Sequence, residues 1–398
     1  MTDLSVIVLG LYAIFNLKEF SFKIIPKYFC ILFFIFYIFI LLRSSFSSHI
    51  LLSLESSLFY FRYFFFIIGG ILLINDNKKL IIYFLLILLV VCLFLVLDSL
   101  YQFFLSNTYK TLCTDNAENC RISSLFNDEF IMGSFITRMM PMIIISIMFF
   151  SRFNIKPIFI QSTILVIVFI SLISGERNAF LLSIIGYFFI SLNFISNKNF
   201  IFYSISSLII IILFLFFNTN VHKRLIGQTL NEMLQSNNKD HFVIISSVYD
   251  DLYRNSFTLF LEKPLLGHGP KTFREVCKKN IEIYPEGCST HPHNIYLQLL
   301  SETGVIGTMF IIFIFLFFLK KILNLYKKIG FKKNLTSDKI EKYYLITINI
   351  LCVSFIINFF PLSSSGNFFN NLNSCIYYLP LIFIWGIKKE TINIYAKK

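Results

Sequence analysis

Charge is scarce in this chain. Asp, Glu, Lys and Arg make up 14% of its 398 residues, where soluble domains carry about 25%, and a soluble globule is excluded. There is no internal repeat, which removes the solenoid architectures, and no low-complexity linker. No cofactor motif is visible. The opening MTDLSVIVLGLYAIFNL has neither the basic stretch nor the small-residue cleavage site of a secretory signal, so it is expected to be a retained helix. None of the eight cysteines stands in a CxxC pair, so the commonest signature of a structural zinc site is missing.

Hydrocarbon is what the chain has. It is 56% hydrophobic with 51 Phe, and its mean hydropathy is +0.73. Apolar runs of about 20 residues, enough to cross a bilayer, recur along it. They predict helices at 4–17, 24–42, 52–74, 79–105, 127–150, 157–174, 177–195, 200–217, 293–319, 343–361 and 372–387. The expected fold is an all-α polytopic membrane protein of about 11 (10–12) transmembrane helices. Its expected domains are an N-terminal bundle over 1–217, an extramembrane loop subdomain over 218–292 between helices 8 and 9, and C-terminal helices with a tail over 293–398.

Lys and Arg fix the orientation. One set of connections carries Lys18, Lys23 and Lys27, then Lys78 and Lys79, Arg152 and Lys156, Lys198, and eight lysines between Lys320 and Lys342. This set is expected on the cytoplasmic side together with the carboxyl terminus. The region around Arg43, the loop 106–126, the turn at 175, the segment 218–292 and PLSSSGNFFNNLNS are expected outside, and eleven helices put the amino terminus outside too. The net charge of +13 is then largely a topology signal and requires no nucleic acid. Cysteine usage agrees. Cys30, Cys92, Cys352 and Cys375 fall in predicted helices, while Cys113 with Cys120 and Cys277 with Cys288 bracket short stretches of outer loop. In an oxidising compartment these read as two local disulfides, with metal ligation as the rival reading.

Titratable chemistry concentrates in Thr290–Gly307, THPHNIYLQLLSETGVIG. His293 precedes Asn294, Gln298 and Glu302, which recur every four residues and form one stripe of a helix. They either orient the histidine ring or bind sugar hydroxyls, or they are hydrogen-bond glue between helices. With Pro292 opening the helix, His293 is expected in its first turn, where the positive end of the macrodipole disfavours imidazolium. Upstream, SSVYDDLYRNSFTLFLEK has helical periodicity, with Val248, Leu252, Tyr253, Phe257, Leu259 and Phe260 apolar, and stops at Pro264; an amphipathic helix on the membrane surface fits. PLLGHGPKTFREVC follows, where Gly267 and Gly269 allow either a structural turn or a close backbone approach to a ligand. Arg177, in SGERNAF, offers forked, permanent donors for phosphate oxygens; the bland alternative is an interfacial arginine pairing with Glu176. Arg138 lies inside a predicted span, where an isolated cation costs about 2.5–3.5 kcal/mol; it is a candidate for diphosphate or donor binding, with Asp128 or Glu129 pairing with it or lining the cavity, and a structural ion pair inside the bundle is the alternative. Gly304 and Gly307 read as close-packing positions, and His268 as a turn residue.

The run PLLGHGPKTFREVC, then CSTHPHNIYLQLLSETGVIG, then an apolar helix resembles the signature region of the bacterial O-antigen ligase and O-antigen polymerase superfamily. RISSLFNDEFIMGSFITRMMP, with Arg121, and SGERNAF are similar to family members at matching places. The agreement spans about 121–307; the flanking helices agree in hydropathy alone. The resemblance implies a metal-independent, cofactor-free membrane glycosyltransferase with a GT-C-like bundle in the inner membrane, acting on the periplasmic face. Its donor would be an undecaprenyl-diphosphate-linked oligosaccharide, and its acceptor another glycan (polymerase, the reading favoured here) or lipid A core (ligase). It implies His293 as catalytic base, with His291 supporting it, and Arg177 as diphosphate-binding. A second functional arginine is expected in the helix before PLLG, where Arg254 stands, with Arg274 as the alternative. A transporter is the rival from another class, but it calls for paired broken helices and ionisable groups at mid-bilayer.

Overall fold

A computed structural model describes residues 2–19, 25–106, 120–127, 129–154, 156–194, 198–235, 246–331 and 339–397. Cys113 and Asp128, and Lys23, Lys332 and Lys333 of the charge pattern, lie outside the described residues.

The described residues are helical and contain no strand. In chain order the helices are α1 (Thr2–Phe15), α2 (Lys27–Ser45), α3 (Ile50–Ser57), α4 (Arg62–Asp76), α5 (Lys78–Phe104), α6 (Met132–Phe150), α7 (Pro157–Ile173), α8 (Arg177–Ser191), α9 (Lys198–Phe217), α10 (Thr219–His222), α11 (Gln228–Gln235), α12 (Ser247–Glu262), α13 (Phe273–Val276), α14 (Ile295–Phe331), α15 (Lys339–Asn358), α16 (Asn371–Gly386) and α17 (Lys389–Lys397). Among the described residues, eight helical stretches are long and apolar enough to cross a membrane, with shorter apolar helices at Asp3–Phe15 and Pro157–Ile173. The chain is a multi-pass membrane protein. The expected span 52–74 is two helices, α3 and α4, separated by a turn.

The helices form two compact units, one of residues 1–76, 232–317 and 359–386, the other of 77–231, 318–358 and 387–398. The first is built round aromatic side chains: Phe33 packs on Phe64 (5.4 Å between centroids), Tyr60 on Tyr63 (5.2 Å), and Tyr63 stacks on Tyr378 (5.5 Å). In it α1 lies so close on α4 that a side-chain carbon at Gly69 would stand 2.0 Å from the Leu9 carbonyl oxygen. The second unit is centred on α6, whose Met132, Ile136, Met140 and Ile144 are fully buried. Its start is capped from elsewhere: the Glu176 carboxylate accepts from the N–H groups of Gly133 (2.6 Å) and Ser134 (3.2 Å) and from the Ser134 hydroxyl. A carboxylate at a helix N-terminus satisfies orphan donors and complements the dipole.

Between the candidate spans, residues 246–294 of the first unit have their own small core of Leu252, Leu259, Phe273, Val276 and Cys277. Asn255 ties it together, its amide donating to the carbonyls of Cys277 (3.0 Å) and Gly287 (2.8 Å). A disulfide joins Cys277 and Cys288. The expected helix over SSVYDDLYRNSFTLFLEK is α12, capped by Ser246, whose hydroxyl accepts from Tyr249 N–H. Val248, Phe257 and Leu261 on it remain exposed.

Candidate active site

The apolar helix after HPHN begins two residues later than Pro292 implies. Asn294 is the cap: its Oδ1 accepts from the N–H groups of Tyr296 (3.0 Å) and Leu297 (3.2 Å), the bonds an Asx side chain is suited to make. His293 therefore stands outside α14, in left-handed backbone (φ 55°), with its carbonyl accepting from Ser365 N–H at 2.8 Å. The helix dipole is not what acts on its ring. Burial is, and it lowers the His293 pKa below the usual imidazole range.

Two imidazoles meet here. The His291 and His293 rings are 4.2 Å apart, and Tyr249 of α12 meets His293 edge-on at 5.9 Å. The two histidines are held differently. His291 Nε2 is 3.1 Å from the Ser365 carbonyl and Nδ1 is 2.9 Å from Thr290 Oγ1. A carbonyl only accepts, so Nε2 carries the proton and Nδ1 takes one from the threonine hydroxyl. Burial, then the His293 ring beside it, push the His291 pKa down to about 4. The ring nitrogens of His293 make no hydrogen bond with the described residues, so its lone pair is not taken up by them. Of two neighbouring neutral rings, only His293 is free to take a proton.

The depressed pKa values give a pH dependence of stability. Unfolded imidazoles protonate near 6.5, whereas buried His291 does so near 4, so between these values the unfolded state binds the extra proton. Stability is then full above about pH 6.5 and falls as pH drops toward 4. We expect the melting temperature of the detergent-solubilised protein to fall between about pH 7 and 5, and His291→Gln to flatten that fall. Identical falls in both proteins would contradict the burial account.

The arginines fall into two groups. In the first unit, Arg274 of α13 is near enough to His291 to lower its pKa, and its buried Nε has no hydrogen-bond partner among the described residues. Arg254, on the helical row next to Tyr249 and Tyr253, pairs with Asp250 at 2.7 Å, its side chain 41% exposed. In the second unit, Arg177 is the first residue of α8, where the helix dipole attracts anions. Glu176 beside it spends its carboxylate on α6, and burial raises that carboxyl to about 7. Arg138 is buried and donates to Asn358 Oδ1 at 3.3 Å; Glu129 is exposed. Arg121 lies over the Phe130 ring.

The stripe on α14 points at loops. Gln298 Nε2 donates to Glu302 Oε2 (3.0 Å) and Asn367 Oδ1 (3.1 Å), and its Oε1 accepts from Phe368 N–H (2.9 Å). Glu302 Oε1 accepts from Phe273 N–H at 3.1 Å. Asn294 Nδ2 donates to the Pro361 carbonyl at 2.9 Å. These three side chains hold the 361–369 loop and the start of α13 in place. His268 fits its reading as a turn residue, with Nε2 3.0 Å from the Leu259 carbonyl.

The glycines of the two motifs explain each other. Gly304 has φ 65° and ψ −165° and breaks α14. The groups freed by the break are satisfied by the PLLGHG turn: Val305 N–H donates to Pro264 (2.8 Å), Ile306 to Leu265 (3.4 Å), His268 to Ser301 (2.9 Å) and Gly269 to Glu302 (2.7 Å). Arg43, the lone arginine in the last turn of α2, clamps the turn from behind, its Nε donating to the carbonyls of Leu266 and Gly267, both at 3.0 Å. Sequence reading took Arg43 for a loop charge. A single cation at the end of an apolar span was the available signal. Tyr249, Thr290 and Ser365 were also missed, and only Tyr249, four residues before Tyr253 on the same helical row, carried a signal.

The apolar helices define a multi-pass membrane protein, and His291, His293, Arg254 and Arg274 fall outside its candidate spans, within one compact unit. Residues 161–312 match the family model described as O-antigen ligase, the region to which the HPHN and SGERNAF motifs belong. No curated protein matches the chain.

Proposed function

We propose that this protein is a membrane glycosyltransferase of surface polysaccharide synthesis. It moves a glycan from an undecaprenyl-diphosphate carrier to an acceptor hydroxyl on the periplasmic face of the inner membrane. The observation that carries the reading is the His293 ring, neutral and unbonded beside a fully bonded His291, within a segment matching the O-antigen ligase family.

In the proposed step His293 takes the proton of the acceptor hydroxyl as its oxygen bonds to the anomeric carbon. The bond from that carbon to the diphosphate breaks, and its electron pair leaves on the diphosphate oxygen. Arginine donors offset the charge that develops there; Arg274 and Arg254, of the unit that holds His293, are the candidates, and for Arg177 diphosphate binding rests on the resemblance of SGERNAF alone. Arg138, buried against Asn358, serves best as a bundle residue. The acceptor is another lipid-linked repeat unit, the polymerase reaction. Transfer to lipid A core is the second reading, favoured by the family's description as ligase.

Expression in two hosts, one lacking its O-antigen polymerase and one lacking its ligase, tests the reading through lipopolysaccharide ladders on a gel. A ladder restored in the first host names a polymerase, and in the second a ligase. If the purified protein also releases no undecaprenyl diphosphate from lipid-linked glycan of its own host, the glycosyltransferase reading fails.

A further inference from the structure

The first unit contains a cavity of about 280 Å³ that the proposed chemistry leaves unused. Asp3, Glu55, Arg62, Lys271 and Asn371 supply its polar wall, and Phe59, Tyr63 and Phe369 its aromatic wall. Its volume is near the lower end of the range for small-molecule sites, about 300–1,000 Å³. We propose that this cavity is a binding site for a neutral saccharide ring. The assignment deepens the glycosyltransferase reading and rests on it for the ring's role.

Charge balance selects the ligand class. The wall holds two carboxylates and two cations, paired as Arg62 Nη1 with Asp3 Oδ1 at 3.3 Å and Lys271 Nζ with Glu55 Oε1 at 3.4 Å. A diphosphate needs a surplus of cations, and an amine a surplus of carboxylates. A polyol, whose hydroxyls each donate and accept, needs both kinds of group in equal measure. The polar wall is also built in advance: Asn371 Nδ2 donates to Asp3 Oδ2 at 3.0 Å, Arg62 donates to Asn371 Oδ1, and Tyr63 OH donates to the same oxygen at 3.1 Å. Phe59, which lines the cavity, is 56% exposed and offers an aromatic face on which a sugar ring can stack.

The 361–369 loop connects this cavity to the histidines. Ser365 bonds to His293 and His291 through its backbone, Phe368 is tied to Gln298, and Phe369 lines the cavity. The loop thus joins the cavity wall to the proposed base within a single unit. A sugar held in the cavity belongs either to the acceptor or to the donor glycan.

The test uses the full chain in nanodiscs. Saturation-transfer NMR is run with methyl glycosides of a hexose, an N-acetylhexosamine and a deoxyhexose, and with inorganic pyrophosphate as competitor. The proposal expects transfer to at least one glycoside, no displacement by pyrophosphate, loss of about tenfold in affinity in Phe59→Ala, a similar loss in Glu55→Gln, and retention in His293→Ala. Both Phe59 and Glu55 are exposed side chains, so the fold is kept. No glycoside binding, or binding unchanged in both variants, overturns the proposal; displacement by pyrophosphate overturns the neutral-sugar assignment. In reconstituted transfer, a raised KM for acceptor or for lipid-linked donor in Phe59→Ala tells which sugar sits there, and an unchanged KM for both overturns the site. Loss of the glycosyltransferase reading alone would leave the binding result intact.

Discussion

Replacing His293 by Ala is expected to abolish the restored lipopolysaccharide ladder and to lower the transfer rate about 10²- to 10⁴-fold, the usual contribution of a positioned base. The protein should still fold, since the ring is only partly buried and its side chain makes one edge contact with Tyr249 and one ring contact with His291. A pH profile separates a base from a merely structural ring. Because burial lowers the His293 pKa, the wild-type rate should hold through about pH 6.5 and fall only below it, as the ring protonates. The residual activity of His293→Ala should lack that limb. Full activity in a variant expressed at wild-type level sinks the mechanism. His291 is expected to behave differently, because its two nitrogens are already committed to Thr290 and Ser365.

Replacing Gly304 by Ala is expected to remove the folded protein. Its backbone lies in a region open essentially to glycine alone, and holding another residue there costs about 1–3 kcal/mol. The clash is a separate cost: a side-chain carbon at Gly304 would stand 2.3 Å from the Leu265 carbonyl carbon and oxygen. Relieving it pulls the PLLGHG turn from the helix break and takes the Pro264 and Leu265 carbonyls away from the N–H groups of Val305 and Ile306. Gly267 faces the same interlock from the other strand of the contact, 2.3 Å from the Glu302 carbonyl carbon. Gly330 is the control. A carbon added there meets nothing within 4 Å, and because it lies inside α14, Ala should be neutral or stabilising by up to about 1 kcal/mol. Detergent-resistant monodisperse protein, measured by fluorescence-detected gel filtration, should be lost for Gly304→Ala and kept for Gly330→Ala. Equal behaviour of the two would refute the interlock.

Both expectations concern motifs that were visible in the sequence, yet their working parts were visible unequally. The HPHN motif singled out His293, but its sequence also argued for a place inside the helix, because Pro so often opens one. Asn294 took the cap instead, since its side chain can accept the first N–H groups and a proline cannot. Gly304 read as a packing residue because a single glycine inside an apolar run carries no sign of its φ. Only the PLLGHG turn, about 35 residues earlier, makes a break there affordable in hydrogen bonds.

By itself the sequence determined what depends on near neighbours. Hydropathy placed the membrane spans, because lipid requires every backbone group of a span to be bonded within it. Periodicity placed α12 and its stop before Pro264, and residue chemistry marked His293 and the arginines. Only the tertiary structure decided what depends on partners far along the chain. Glu176 is spent on the start of α6, 43 residues away. Gln298 is tied to the loop 70 residues on, and Asp3 meets Asn371 across 368 residues. Hydrogen bonds and pKa values belong to such pairs, and no local pattern encodes which distant group a side chain will meet.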